Sequence, residues 1–177
     1  MRALRAAYRE ALQTEDVTRF KFVDETSTNL TYCRRYARAE GGQRAHKATP
    51  LHGGPNVTLV AALTPNGLQA AMTAYLQQGL GPTLVPSDVV VLDNLPAHNV
   101  AGLAERVEAR GARQLYLPPY SPDFNPIELA LSKLKTGLRT AQVRTREALE
   151  AVIQTATEWI SEQDAKNWFD HCGYHVH

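Results

Sequence analysis

The sequence predicts a layered α/β fold, one central sheet with helices on both faces, and three observations predict it. Val89-Val90-Val91-Leu92 is a continuous apolar run, the pattern of a strand buried on both faces of a parallel sheet. From that run onward strand and helix patterns alternate, which is the order of a layered α/β domain. The 177 residues suit one domain with one ordinary core.

In chain order, Leu4, Ala7, Tyr8, Ala11 and Leu12 recur at helical spacing, with Arg2, Arg5 and Arg9 opposite, so Arg2 to Gln13 reads as an amphipathic lead-in helix. Phe20, Phe22 and Val23 form a strand ending at Asp24-Glu25, and Asn29 to Tyr36 is expected to return as the second strand of a hairpin. Residues 37–56 have no period and read as a loop. Val57 to Leu63 is a β-branched apolar strand closed by the turn Thr64-Pro65-Asn66-Gly67. A short helix is expected from Thr73 to Gly79, then the buried strand at Val89, a helix over Val100 to Arg110 and a strand over Gln114 to Leu117. Helices over Ile127 to Arg139, Arg146 to Ile160 and Glu162 to Phe169 complete the chain. The organisation expected is residues 1–18 as the lead-in helix, 19–145 as the main α/β domain and 146–177 as C-terminal helices on the same domain.

Charge is unevenly distributed. Residues 1–50 hold ten Lys/Arg against six Asp/Glu and residues 106–146 hold eight against three, while the other two stretches are acidic. Basic segments folded onto one face would neutralise phosphates, the main source of sequence-independent affinity for DNA; a solvated surface is the alternative reading. No run approaches the 18 apolar residues of a membrane span and no signal peptide precedes the first strand. Cys33 and Cys172 give no disulfide framework. A cytoplasmic protein, nucleoid-associated when on DNA, is expected.

The chemistry is expected from carboxylates. Open α/β sheets place their sites beyond the carboxyl ends of strands, and Asp24 and Asp93 both stand where an apolar strand stops. Hard divalent ions take carboxylate oxygens. Two such ions neutralise phosphoryl charge, activate a water and stabilise the leaving oxygen of a phosphodiester. A third acid is Glu128. Ile127, Leu131, Leu134 and Leu138 make one helical seam, and Glu128, Ser132, Lys135 and Arg139 make a second stripe one position round. Glu128 has a second reading as well, because Asn125, Pro126 and Glu128 also fit a capping box in which the glutamate only satisfies backbone amides. Asp93 likewise could open the turn Asp93-Asn94-Leu95-Pro96.

The segments Phe22-Val23-Asp24-Glu25, Val90-Val91-Leu92-Asp93-Asn94-Leu95-Pro96-Ala97-His98 and Leu117-Pro118-Pro119-Tyr120-Ser121-Pro122-Asp123-Phe124-Asn125-Pro126-Ile127-Glu128 resemble bacterial insertion-sequence transposases of the DDE endonuclease superfamily, in the six-thirty family related to mariner elements. The final Trp168-Phe169-Asp170-His171-Cys172-Gly173-Tyr174 is similar to that family's ending, and 34 residues lie between Asp93 and Glu128. The resemblance implies a ribonuclease-H-like fold, two Mg²⁺ or Mn²⁺ ions, cleavage at terminal inverted repeats and joining to a TA target. Asp24, Asp93 and Glu128 take the metal-ligand and catalytic roles by position. Lys133, Lys135, Arg139, His98 and Asn94 are the candidates for DNA contact. Double-stranded DNA, a homodimer on it and a separate or upstream helix-turn-helix region are the implied partners. Against the family pattern, the chain begins just before the first catalytic strand, and about a dozen residues are lacking around Thr73, so the third strand or the helix after it is expected to be shortened. A catalytically inactive DNA-binding or subunit-interaction remnant is the rival reading, and a nuclease of the same fold acting on RNA–DNA hybrids or junctions a third.

Other residues are given no such role. His171, Cys172, His175 and His177 make half of a zinc site with no second pair at finger spacing. Trp159 and Trp168 are read as helix packing. Ser27, Ser121 and Tyr120 have no partners that would activate a nucleophile.

Overall fold

The computed structural model describes residues 2–54, 56–72, 83–93 and 103–176. Its strands are β1 (Phe20–Thr28), β2 (Val57–Thr64), β3 (Gly67–Met72), β4 (Val89–Leu92) and β5 (Arg113–Tyr116). Its helices are α1 (Arg2–Leu12), α2 (Leu103–Glu108), α3 (Pro126–Ala141), α4 (Arg146–Ala156) and α5 (Glu162–His171). The helix expected over Thr73 to Gly79 and the start of the one expected at Val100 lie outside the described residues.

The strands form one mixed sheet in the order β3-β2-β1-β4-β5. β1 is central, antiparallel to β2 and parallel to β4. Each of its sides is therefore occupied, and the two faces of the sheet bury different sets of side chains, as a pleat of period two requires. Phe20, Phe22, Leu59, Ala61, Leu63, Val89 and Val91 meet Ile127, Leu131, Leu134 and Leu138 of α3 in the larger core, which also takes Leu149 and Ile153 of α4 and Phe169 of α5. Val23, Val60, Ala62, Val90 and Leu92 face the other way, onto Leu84, Val107 of α2 and Ala112. Helices thus cover both faces, and the four-residue seam expected on α3 is buried throughout.

Helix ends follow side-chain chemistry. Thr145 accepts a hydrogen bond from the Ala148 amide at the start of α4. Ser161 and Asp164 form a reciprocal capping box on α5. The start of α3 differs: Asn125 makes no side-chain cap bond, so the capping box expected with Glu128 does not form. Farther along α3, Gly137 makes room for Trp159, since a Cβ there would lie 2.2 Å from the indole Cζ3.

Two further expectations are corrected. β1 does not stop at Asp24-Glu25 but continues to Thr28, and Asn29 to Tyr36 is no strand. Residues 29–31 instead form an Asx turn, the Asn29 carboxamide oxygen accepting from the Thr31 amide at 3.0 Å. The hairpin partner of β1 is β2, whose apolar run buries far more surface than the basic Arg34-Arg35 segment could. On α1, the face toward the domain takes only part of the apolar set, Tyr8 and Leu12, together with Arg5. Leu4 is exposed, whereas Tyr8 is buried and Arg5 half-buried. The Arg5 and Arg9 guanidinium carbons lie 4.5 and 5.1 Å from the centroid of Phe124, a cationic pairing that draws Arg5 inward while Arg9 stays exposed.

β3 has six residues against the eight of β2, pairing from Gly67 opposite Thr64 to Met72 opposite Leu59. Among the described residues, no helix is long and apolar enough to cross a membrane.

Candidate active site

The parallel ladder of β1 and β4 ends with Val23 beside Leu92. One residue farther on, Asp24 and Asp93 continue from neighbouring strands, whose backbones lie about 5 Å apart. The pleat sends both side chains to the face of Phe22 and Val91, which is the face covered by α3. Both aspartates are half-buried. Across the antiparallel side, the residue opposite Asp24 is Ala61, fully buried and too small to fill the space beside the carboxylate. An Asp24 oxygen accepts from the Glu25 amide at 2.7 Å, which orients that carboxylate.

Glu128 enters from α3. It stands in the first turn beside fully buried Ile127, and it is exposed. Its side chain makes no hydrogen bond or ion pair among the described residues, so the capping role is replaced by a carboxylate left available on the same side of the sheet as the two aspartates.

The loop that delivers Glu128 is fixed by both ends of the chain. The Arg5 guanidinium donates to Ser121 Oγ at 2.9 Å and is ion-paired with Asp123. This pairing holds the Asp123 carboxyl below its usual range. The Phe124 ring stacks on Tyr8 at 5.4 Å, and the Phe124 carbonyl accepts from the Tyr174 hydroxyl at 2.7 Å. Tyr120 in the same loop has φ 51° and is 89% exposed. Sequence reasoning assigned no role to Arg5 or Tyr174 here. Both act across more than 100 positions or 50 positions of chain respectively, beyond any local spacing.

The donor set suits a hard divalent cation in kind: carboxylate oxygens, with two groups on adjacent strands. In arrangement, Asp24 and Asp93 are brought together, while Glu128 is set on their face without closing the set. No group of three His, Cys, Asp or Glu among the described residues is near enough to hold a metal ion.

The DNA-contact candidates divide. Lys133 is ion-paired with Asp164 at 2.7 Å. Arg139 lies over the Tyr32 ring, 4.9 Å from its centroid. Half-buried Lys135 has no hydrogen bond or ion pair among the described residues. Asn94 and His98 lie outside the described residues. At the chain end, His175 Nδ1 is 2.6 Å from Asp170, and the buried Cys172 thiol is pushed up to about 11 by desolvation.

Against known proteins, the family model described as DDE superfamily endonuclease matches residues 19–150. The Mos1 transposase paired-end complex with left transposon end is similar with a TM-score of 0.73 at 16% identity, covering 97% of this chain and 56% of that one. The catalytic domain of Mos1 mariner transposase gives 0.65 at 12% identity, covering 97% and 83%. A simian T-cell lymphotropic virus intasome in complex with PP2A regulatory subunit B56 gamma gives 0.51 at 14% identity, covering 80% and 49%. At these identities the likeness is one of fold: the mixed five-stranded sheet with its helices is the ribonuclease-H-like fold of the Mos1 catalytic domain. The chain spans a little over half the length of the Mos1 chain in the paired-end complex. Comparison with curated protein sequences returns no match.

Proposed function

From the premise that this chain belongs to the DDE superfamily endonucleases, we propose that it is a transposase catalytic domain that cuts DNA strands at transposon ends and joins them to target DNA. The observation that supports this reading is the place of Asp24 and Asp93, each one residue beyond the last pair of the β1–β4 ladder, Val23 beside Leu92. Asp24 and Asp93 would hold the divalent ions, Mg²⁺ or Mn²⁺, and Glu128 would complete the set from α3. Bound there, two ions would supply charge neutralisation at the scissile phosphate.

The chain's own residues then orient the reaction. Asp24 is held by the Glu25 amide, and Glu128 by a loop tied to Arg5, Tyr8 and Tyr174. Water attacks phosphorus and the 3′-oxygen leaves, giving a 5′-phosphate and a 3′-hydroxyl. That hydroxyl attacks a target phosphodiester in line and displaces its 3′-oxygen, so one P–O bond forms for each broken. A TA target, a homodimer on double-stranded DNA and a helix-turn-helix region in a separate or upstream position accompany this reading, as do the six-thirty family and a bacterial source.

The test is nicking of a supercoiled plasmid bearing inverted repeats, with the end-recognising region supplied and Mg²⁺ or Mn²⁺ present. Asp93→Asn is expected to abolish nicking; metal-independent nicking that survives the substitution would refute the mechanism. The absence of a closed three-carboxylate cluster among the described residues favours one alternative, an inactive DNA-binding remnant. Mn²⁺ titration separates the two, because a remnant shows no binding that depends on Asp24 and Asp93.

A further inference from the structure

The segment between β1 and β2 carries a second concentration of charge. Residues 29–56 hold Arg34, Arg35, Arg38, Arg44 and Lys47 against one acid, Glu40. Several of these line a groove of about 590 Å³ that runs between the segment and the C-terminal end of α3, where Thr140 and Gln142 form the far wall. Arg34, Arg35 and Arg38 are exposed and make no hydrogen bond or ion pair among the described residues. Among them stands Tyr36, 88% exposed. An uncovered ring among solvated guanidiniums is well suited to a ligand with both anionic groups and flat aromatic faces.

The groove is anchored. The Arg144 guanidinium donates to the carbonyls of Leu30 and Tyr32, each at 3.0 Å; Arg139 lies over the Tyr32 ring; and Lys47 donates to Gln142. The segment is thereby tied to α3 at the helix end opposite Glu128. Glu128, Lys135, Arg139 and Gln142 follow one another at i, i+7, i+11 and i+14, a single stripe along α3. At 1.5 Å per residue the stripe is about 21 Å long. It begins at a carboxylate, passes two cations and ends in the groove. At the duplex rise of about 3.4 Å per nucleotide that is at most roughly six nucleotides, and fewer in an extended single strand.

We propose that the groove of Arg34, Arg35, Tyr36, Arg38 and Lys47 is a binding site for single-stranded DNA, holding a strand that leaves the carboxylates along α3 within about six nucleotides of the reacting phosphate. This deepens the transposase reading and rests on it for the identity of the strand. The arginines and Lys47 contact phosphates, and Tyr36 stacks on an unpaired base. Such stacking needs an open base face, which a base inside a duplex does not offer.

The test uses the full chain and a fluorescein-labelled 20-nucleotide oligothymidylate, with anisotropy read in EDTA over a series of salt concentrations. The R34A/R35A/R38A variant is expected to bind at least tenfold more weakly at moderate salt. Its log–log salt slope is expected to be shallower by about 2, at roughly 0.7 per lost phosphate contact on a single strand. Tyr36→Ala is expected to lose about tenfold, and Tyr36→Phe to bind like the parent, as stacking requires. Thermal unfolding unchanged in all three shows that the fold is intact. An unchanged slope in the triple variant, or equal binding by Tyr36→Ala and the parent, overturns the site. Because no ion is present, a chain that never cuts DNA still passes or fails on the groove alone.

Discussion

Tyr8 and Tyr174 hold their hydroxyls 3.0 Å apart in the core, across 166 positions of chain. The Tyr174 proton is committed to the Phe124 carbonyl at 2.7 Å, so in this pair Tyr8 is the donor and Tyr174 the acceptor. A chain of two hydroxyls and one carbonyl therefore joins α1, the C-terminus and the loop that delivers Glu128.

Removing the middle member should cost more than removing the first. Tyr174→Phe leaves the Tyr8 hydroxyl and the Phe124 carbonyl without partners and is expected to lose about 1–3 kcal/mol, while Tyr8→Phe should lose about 1 kcal/mol. Urea unfolding of the two variants measures the difference, and equal losses would refute the order of donors. Desolvation pushes Tyr8 up to about 12 and raises Tyr174 as well. The Tyr8 contribution is thus complete below the ordinary tyrosine value near 10 and is lost as pH rises through about 12, and the raised Tyr174 acts in the same direction. Stability should fall with rising pH in that window, less steeply in Tyr8→Phe.

Glu128→Gln separates a ligand from a cap. Since Asn125 makes no side-chain cap bond and Glu128 has no partner among the described residues, stability should change by no more than about 0.5 kcal/mol. Nicking should fall roughly 10²–10³-fold, the scale for loss of one group that stabilises developing charge. A large drop in melting temperature with nicking intact would return Glu128 to a structural role.

Gly137→Ala sets helix propensity against packing. Alanine favours the helix by about 1 kcal/mol. Its Cβ, however, would lie 2.2 and 2.4 Å from Cζ3 and Cε3 of Trp159, a half-buried ring packed on the core. Overpacking of this kind costs about 1–3 kcal/mol, so net destabilisation is expected, relieved in the Gly137→Ala/Trp159→Ala double variant relative to the sum of the singles. Denaturant midpoints of the four proteins decide it.

Acid should loosen α5. Hydrogen bonds from Lys133 and then from Ser161 lower Asp164 to about 2. Its contribution is therefore full above the ordinary aspartate value near 4 and is lost as pH falls toward 2. The Lys133 pair is partly solvated, so Lys133→Ala should cost under about 1 kcal/mol at neutral pH. Ser161→Ala, which removes the cap, should cost about 1 kcal/mol. Helicity followed from pH 5 to pH 2 checks the window; a flat profile in the parent would contradict it.

Periodicity exposed the elements whose burial is local in origin. Val89 to Leu92 needed only its apolar run, and the α3 seam only its spacing, and both are buried as expected. The position of Asp93 followed from the first of these. Pairing was less legible, because β1 has two candidate antiparallel partners within 40 residues and only the competition for buried area chooses β2 over the nearer segment. Side-chain reach was least legible. On α1 half-buried Arg5 turns inward because Phe124, over 100 positions away, offers its ring, and no window of local sequence contains that information. The groove signal was present as a basic block in residues 1–50, but its alignment with α3 depends on Arg144 and Gln142.

The central place of β1 also bears on the order of assembly. Phe22 meets Phe169 and Tyr174 at 5.3 and 5.0 Å, partners about 150 positions away along the chain. Contacts of that separation repay their loop-closure entropy only after the nearer pairings have formed. A folding intermediate in which β1 has found β2 but not Phe169 and Tyr174 therefore presents an aromatic patch on the helix-bearing face, and that patch is where such intermediates should stick to one another.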